Sequence, residues 1–362
     1  MKKIGISTWH SIPNHGGMLQ MYGLYQILTE LGASPSFVLH SKAIEDDSGA
    51  PNGLMTKIIR YTHLDSWRQK RNEIQGRTFN TEKIRQMLDF QNHTFQTAED
   101  FSAVDGVCVG SDEVFSVVSG FTPEFFGENY TQPVFSYAGS CGQTTADTVR
   151  KKHLEDRISR DFLRFAHISV RDENSADTVE AFTGKRPYIH IDPVLLYGYK
   201  EITASVPHNS KQEIILYSYD QNMCRGSEIR AIRRIAKHRD AQILSAGFHH
   251  YWCDASMNFE PLDLIREFCA CQGVVTDTFH GAVLAIITHS RFTVMVRNQF
   301  NSHKIIGLLK LLHLEDRLAR NVEDMERVLN LPIDYQQVEI RLDALRTDSL
   351  HYLKSCLDEV CP

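Results

Sequence analysis

The sequence predicts an α/β protein made of two Rossmann-like lobes with a cleft between them and a C-terminal helix packing back across both. Three observations carry that expectation. Short apolar, β-branched runs alternate with helix-length segments along most of the chain, the pattern of parallel strands joined by crossover helices. The chain has 362 residues, too many for one ordinary core and enough for two. Hydrophobic residues make up 42% and charged residues 23%, the balance of a soluble globular protein rather than a disordered one.

Taken in order, a first lobe over 1–196 carries expected strands near 2–8, 35–40, 104–110, 133–138, 167–171 and 188–191. A second lobe over 197–335 carries them near 213–219, 241–246, 273–277 and 292–296. Between the two sets, Asp192-Pro193 and the run from Leu195 to Ser210, closing on Pro207-His208-Asn209-Ser210, read as a linker. Proline and the polar cluster stop regular structure there.

Residues 42–100 break the alternation; they are rich in charge, hold no clear strand and read as a helical insertion. Within it Leu54, Ile58, Ile59 and Tyr61, with Arg60, Arg68, Lys70 and Arg71, predict a basic amphipathic helix over 54–71. Such a face can make peripheral contact with anionic lipid, and more commonly it is a solvated helix capping a sheet. Ile340, Leu342, Leu345, Leu350, Leu353 and Leu357 recur at helical intervals and predict a C-terminal helix within 336–362.

Charge and composition exclude several classes. A net charge of −6 provides no basic field, so nucleic acid is not an expected partner. No run approaches the ~18–20 apolar residues of a membrane span. Met1-Lys2-Lys3-Ile4-Gly5-Ile6-Ser7 leads directly into a short strand without a signal-peptide core, which makes a cytoplasmic location the simplest expectation. Eight cysteines contain no C-x-x-C pair and read as reduced, structural thiols. His249-His250-Tyr251-Trp252-Cys253 looks metal-like, but neighbouring residues on a strand or loop point apart, and no metal site is expected.

Four clusters stand at predicted strand ends. Val274-Val275-Thr276-Asp277-Thr278-Phe279-His280-Gly281 runs from a strand into an apolar helix, placing Thr278 and His280 at a turn that in open α/β sheets faces the ligand crevice. Asn14-His15-Gly16-Gly17 opens the first helix, and Gly16 and Gly17 let backbone N–H groups approach a ligand or simply form a tight turn. Val109-Gly110-Ser111-Asp112-Glu113 ends an apolar strand, with Asp112 read as a general base or a helix cap. Ser169-Val170-Arg171-Asp172 delivers Arg171 to its strand end, where its fork suits a phosphate, a carboxylate or a local acid such as Asp172 or Glu173.

Together these clusters resemble the polysaccharide pyruvyl transferases. The similarity continues through Ser136-Tyr137-Ala138-Gly139-Ser140, Ile191-Asp192-Pro193-Val194-Leu195-Leu196 and Asn301-Ser302-His303-Lys304, and runs from the first strand to about Arg317. The resemblance implies a glycosyltransferase-B-type fold with the active site in the cleft. It implies transfer of the pyruvyl unit of phosphoenolpyruvate, a donor substrate with no separate cofactor, to two hydroxyls of a sugar. The product is a cyclic ketal, with phosphate released. The implied acceptor is galactose or another hexose of a surface polysaccharide or its lipid-linked oligosaccharide precursor, which would bring the protein to the inner face of the membrane.

On the matching positions, Arg171 is expected at the donor's phosphate or carboxylate, His280 at phosphate contact or proton transfer, and Asp112 as base at the acceptor hydroxyl. Asn14, Gly16, Gly17, Ser111 and Thr278 would line the substrate site. The sequence departs from an Arg-Leu-His-Gly form of the family, having Thr278-Phe279-His280-Gly281 instead, and Arg297 or Lys304 is expected to supply the missing cation. The rival expectations are a glycosyltransferase using a nucleotide sugar, for which Glu260 is the candidate ribose-binding carboxylate, and an inactive sugar-binding member.

Overall fold

A computed structural model describes residues 1–10, 14–38, 63–98, 101–118, 120–297 and 299–360. Lobe one begins β1 (Lys2–Ser7), α1 (His15–Glu30), β2 (Ala33–Val38), α2 (His63–Thr94), β3 (Thr97–Ala98), β4 (Gly106–Val109) and β5 (Val134–Ser136). It continues α3 (Ala146–Lys151), α4 (Glu155–Phe162), β6 (Phe165–His167), β7 (Ser169–Val170), α5 (Glu173–Thr183), β8 (Tyr188–Ile189), α6 (Pro193–Tyr197) and α7 (Lys200–Ala204). Lobe two holds β9 (Glu213–Tyr217), α8 (Gly226–His238), β10 (Gln242–Ala246), β11 (Ala255–Met257), α9 (Pro261–Ala270), β12 (Gly273–Thr276) and α10 (Phe279–Ile287). It closes with β13 (Phe292–Met295), α11 (Gln299–Leu311), β14 (Leu318–Ala319), α12 (Met325–Asn330) and α13 (Tyr335–Val360).

The strands form two six-stranded parallel sheets with the same winding, β3-β2-β1-β4-β5-β6 and β11-β10-β9-β12-β13-β14. The reversal of strand order falls between β1 and β4 in one and between β9 and β12 in the other. Buried runs such as Ile4-Gly5-Ile6-Ser7 and Val274-Val275-Thr276 are covered on both faces, as parallel strands require. The largest core cluster is continuous from lobe to lobe, joining Ile6, Leu19 and Tyr137 to Ile215, Val274 and Leu284.

α13 straps the two together. Its Tyr335 hydroxyl donates to Ser290 O (2.5 Å) in lobe two, Arg346 Nε to Leu195 O (2.9 Å), and the Tyr352 hydroxyl to Ser136 O (2.8 Å) in lobe one. α2 bridges on the other side. Asn80 Nδ2 donates to Asp220 Oδ2 (3.2 Å), Asn258 Nδ2 to Phe79 O (2.9 Å), and the Lys83 ammonium lies 4.4 Å from the centre of the Phe248 ring.

The structure corrects several expectations. The single strand expected over 167–171 is two, because β6 completes the first sheet while β7 leaves it to pair with β8. The Ser136 hydroxyl bonds both the N–H and the C=O of Ser169, taking the place of a backbone ladder there. The segment read as strandless contains β3, whose register on β2 is Phe37 with Thr97 and Val38 with Ala98. The linker read as irregular contains α6 and α7. Pro193 begins α6, where its missing N–H costs nothing, and Asp192 Oδ1 caps Val194 N at 2.9 Å. Of the basic amphipathic helix expected over 54–71, which could cap a sheet or touch lipid, residues 54–62 and the side chains of 63–71 lie outside the described residues. No helix among the described residues is long and apolar enough to cross a membrane.

Candidate active site

A cavity of about 380 Å³ opens where the carboxyl ends of both sheets meet. Trp9 and Asn14 reach it from after β1, Asp112, Glu113 and Ser116 from after β4, and Arg171 from after β7. From lobe two come Tyr217 and Tyr219 at the end of β9, Phe248 after β10, Asp277 through His280 after β12, and Lys304 with Ile305 on α11. Ligand crevices of open α/β sheets form at such points of reversed strand order, and here two of them face each other.

Local chemistry fixes the turns. Asn14 caps α1, its side chain accepting from Gly16 N at 3.0 Å, and Thr278 caps α10, accepting from Gly281 N at 3.0 Å. Two helix N-termini therefore point at the cavity, a field that favours an anion. Gly16 has no room for a side chain, since a Cβ there would stand 2.3 Å from Cγ and Nδ1 of His280. Asp112 sits at φ 75°, a left-handed conformation that aspartate tolerates, with its backbone carbonyl accepting from Ser140 N at 2.8 Å. Gly110, at φ 123°, lies so close to Tyr137 O that a Cβ would approach it to 2.2 Å.

Charge in the cavity is arranged around Arg171. Its Nη1 donates to Asp192 Oδ2 at 2.7 Å, its Nη2 is 3.9 Å from Asp112 Oδ1, and its guanidinium stacks over Phe279 at 4.7 Å from the ring centre. Burial opposes its charge, but Asp192, Asp112 and Asp172 outweigh that and hold its pKa above the ordinary value. Lys304 Nζ pairs with Glu113 Oε1 across the two lobes. Burial raises the Glu113 carboxyl, yet Lys304 and Arg171 prevail and hold it below the usual range, so it is ionised. Asp277 is pushed up by burial, with Ser218 and Arg297 acting against that. His280 is lowered chiefly by burial, and is therefore a neutral imidazole at pH 7.

Of the residues singled out in the sequence, Asn14, Asp112, Arg171, Thr278, His280 and Lys304 line the cavity. Gly16 and Gly17 lie just behind it, Gly16 against His280 and Gly17 where a Cβ would come within 3.8 Å of Asp112 Oδ2. Ser111 and Arg297 do not line it. The Ser111 carbonyl accepts from Thr8 Oγ1 at 2.8 Å, and the Arg297 guanidinium is held by Asp277 (2.7 Å) and Glu228 (2.8 Å). Glu260 is exposed at the start of α9, outside the cavity. Among the described residues no three His, Cys, Asp or Glu side chains converge as ligands of one metal ion.

Sequence reasoning assigned no role to Glu113, Asp192, Asp277 or Gln20. Asp192 is the anchor of Arg171, yet in the sequence it reads as the start of a linker and as one position of the family pattern, with no role of its own. The Glu113–Lys304 pair spans 191 positions and has no local signature.

With this geometry, comparison with known proteins is informative. A family model described as polysaccharide pyruvyl transferase matches residues 14–298. The crystal structure of Arabidopsis thaliana UGT89C1 complexed with UDP-L-rhamnose is 10% identical, with a TM-score of 0.50 over 99% of this chain and 99% of that one. The glycosyltransferase SnogD from Streptomyces nogalater is 11% identical, with a TM-score of 0.44 over 100% of this chain and 99% of that one. The S. aureus MnaA–UDP co-structure is 11% identical, with a TM-score of 0.47 over 97% and 91%. No curated protein matches the sequence. The shared architecture is the two-lobed glycosyltransferase-B type, and it extends over the whole chain.

Proposed function

The chain belongs to the polysaccharide pyruvyl transferase family, and from that premise we propose that it moves the pyruvyl unit of phosphoenolpyruvate onto a hexose as a cyclic ketal, releasing phosphate. The observation that carries the reading is the charge pattern of one cavity. Arg171 and Lys304 share it with two helix N-termini, a neutral His280 and the carboxylates of Asp112 and Glu113. A small donor bearing both phosphate and carboxylate needs fixed cations and oriented N–H groups. Ketal formation needs bases for two hydroxyls and an acid for the enol carbon.

One acceptor oxygen bonds to C2 of the donor as its O–H bond breaks, and the proton it gives to Asp112 is passed on to C3, which becomes a methyl group. The second oxygen then displaces phosphate at C2, and its proton leaves with the phosphate. Arg171 holds the donor anion, and Lys304 turns to it from Glu113. Asp112 takes the proton of one hydroxyl, and His280 moves the other. Gly16 and Gly17 keep backbone close to the substrate, and Asn14 and Thr278 hold the two helix ends toward it. The acceptor is a hexose, galactose first among them, in a surface polysaccharide or its lipid-linked precursor, the latter drawing the protein to the inner membrane face.

The test is phosphate release from phosphoenolpyruvate with short galactosides and lipid-linked oligosaccharides, with product mass recorded. A sugar heavier by one ketal-linked pyruvate is the expected product. Tight binding of a nucleotide sugar, with no phosphoenolpyruvate turnover on any acceptor, would instead identify a glycosyltransferase.

A further inference from the structure

Asp192 is fully buried, and its carboxylate does more than cap α6. Oδ1 accepts from Val194 N, while Oδ2 receives Arg171 Nη1 at 2.7 Å and Gln20 Nε2 and stands 3.8 Å from His280 Nε2. Nε2 is sealed from solvent and has no hydrogen-bond partner among the described residues. The opposite edge of the ring, Cγ–Nδ1, lies over Gly16 at the start of α1. His280 lines the cavity with its side chain 13% exposed, and since Nε2 is its sealed nitrogen, Nδ1 is the ring nitrogen left to meet a ligand there.

Two fields act on this imidazole in the same sense. A lone pair on Nε2 would face a carboxylate oxygen, whereas an N–H there is attracted to it. On the other side, the positive end of α1 favours a lone pair on Nδ1 over an N–H. The other charges around the ring are Arg171 after β7 and Lys304 on α11, which disfavour protonation, and Asp112 after β4, which favours it.

We propose that Asp192 is a positioning residue for the transfer, holding neutral His280 as its Nε2–H tautomer so that Nδ1 is the atom that receives a proton from the acceptor. This rests on the pyruvyl-transfer reading for the identity of the substrate. In the step, an acceptor O–H bond breaks and an N–H bond forms at Nδ1. Asp192 offsets the charge of the resulting imidazolium, and the proton then departs with the released phosphate. The 3.8 Å separation closes to a hydrogen bond as Arg171 turns toward the donor, since catalytic contacts commonly tighten when substrate binds.

The deciding experiment is NMR of the resting protein with ¹⁵N-labelled histidine, the His280→Gln spectrum identifying this ring among 17 histidines. A neutral ring protonated at Nε2 is expected, and a ring protonated at Nδ1 would overturn the proposal whatever reaction the protein catalyses. In Asp192→Asn, kcat is expected to fall by roughly tenfold or more, as when a buried carboxylate that orients a catalytic imidazole is made neutral. The acid limb of its pH profile moves to lower pH, because the charge favouring imidazolium is gone. A purely structural Asp192 would lower the melting temperature and the active fraction but leave the limb in place, which would refute the positioning role. If Asp192→Asn does not fold, the wild-type tautomer still decides. If phosphoenolpyruvate is not the donor, the tautomer result is unaffected, so the two readings fail separately.

Discussion

Gly16 and His280 occupy space that neither could share with a larger neighbour. Gly16→Ala is expected to push the ring from its place and to cut turnover by roughly a hundredfold, since small displacements of catalytic groups cost that much. Melting temperature should change far less than turnover, and a Gly16→Ala variant with near-normal kcat would show that the ring's position does not matter. His280→Ala and Arg171→Ala are each expected to lower turnover by roughly a hundredfold or more, the scale of a lost acid–base or anion-stabilising group. Steady-state phosphate release by folded variants checks this, and near-full turnover in either would remove that residue from the mechanism. Because burial holds His280 below the ordinary histidine value of 6.5, activity that needs its neutral form should persist as the pH falls through 6.5. A kcat/KM profile losing activity above that pH would contradict the assignment.

Among elements, α11 contributes Lys304, whose partner Glu113 belongs to the turn after β4 in the other lobe. Lys304→Ala is expected to raise the KM for phosphoenolpyruvate by roughly tenfold or more while leaving kcat closer to wild type, as for a cation used mainly in binding. Lys304→Arg should recover little, because a planar fork is not a point charge. What the sequence made readable at this scale follows from side-chain chemistry. β1, β4, β9 and β12 are apolar and β-branched enough to be recognised, and they carry the turns that hold Asn14, Asp112 and His280. β11, Ala255-Ser256-Met257, has no β-branched residue and gives no periodic signal. The break between β6 and β7 depends on a hydroxyl 33 positions away, Arg171 on a carboxylate 21 positions away, and Lys304 on one 191 positions away. Such non-local contacts are invisible to any window along the chain, which is why Arg171 could be placed while its anchor Asp192 could not.

At the scale of the whole molecule, the core cluster shared by both lobes and the α13 strap predict that both lobes unfold together. Denaturant curves by fluorescence and by circular dichroism should coincide. Two buried histidines link that transition to pH. His15 and His190 are lowered to about 3 and about 4, mainly by burial, so the unfolded chain binds protons that the folded one refuses below 6.5. Their contribution is complete above pH 6.5 and is lost as the pH falls, at about 1.4 kcal/mol per pH unit for each ring while the two states differ by a full proton. His15→Gln, which keeps a donor toward Phe259 O, should flatten that dependence between pH 6 and 4. An unchanged slope in urea titrations would show that His15 is not its source.

The identical winding of the two sheets has one more outcome. The molecule is in effect one wiring diagram used twice and docked mouth to mouth, so the cavity has a seam through its middle. Arg171 and Asp112 stand on one bank of that seam, Lys304 and His280 on the other. Each half alone offers the cavity one of these two cations. The charge pattern of the cavity exists only where the copies meet, so a substitution on either bank alters a pocket whose other half is untouched.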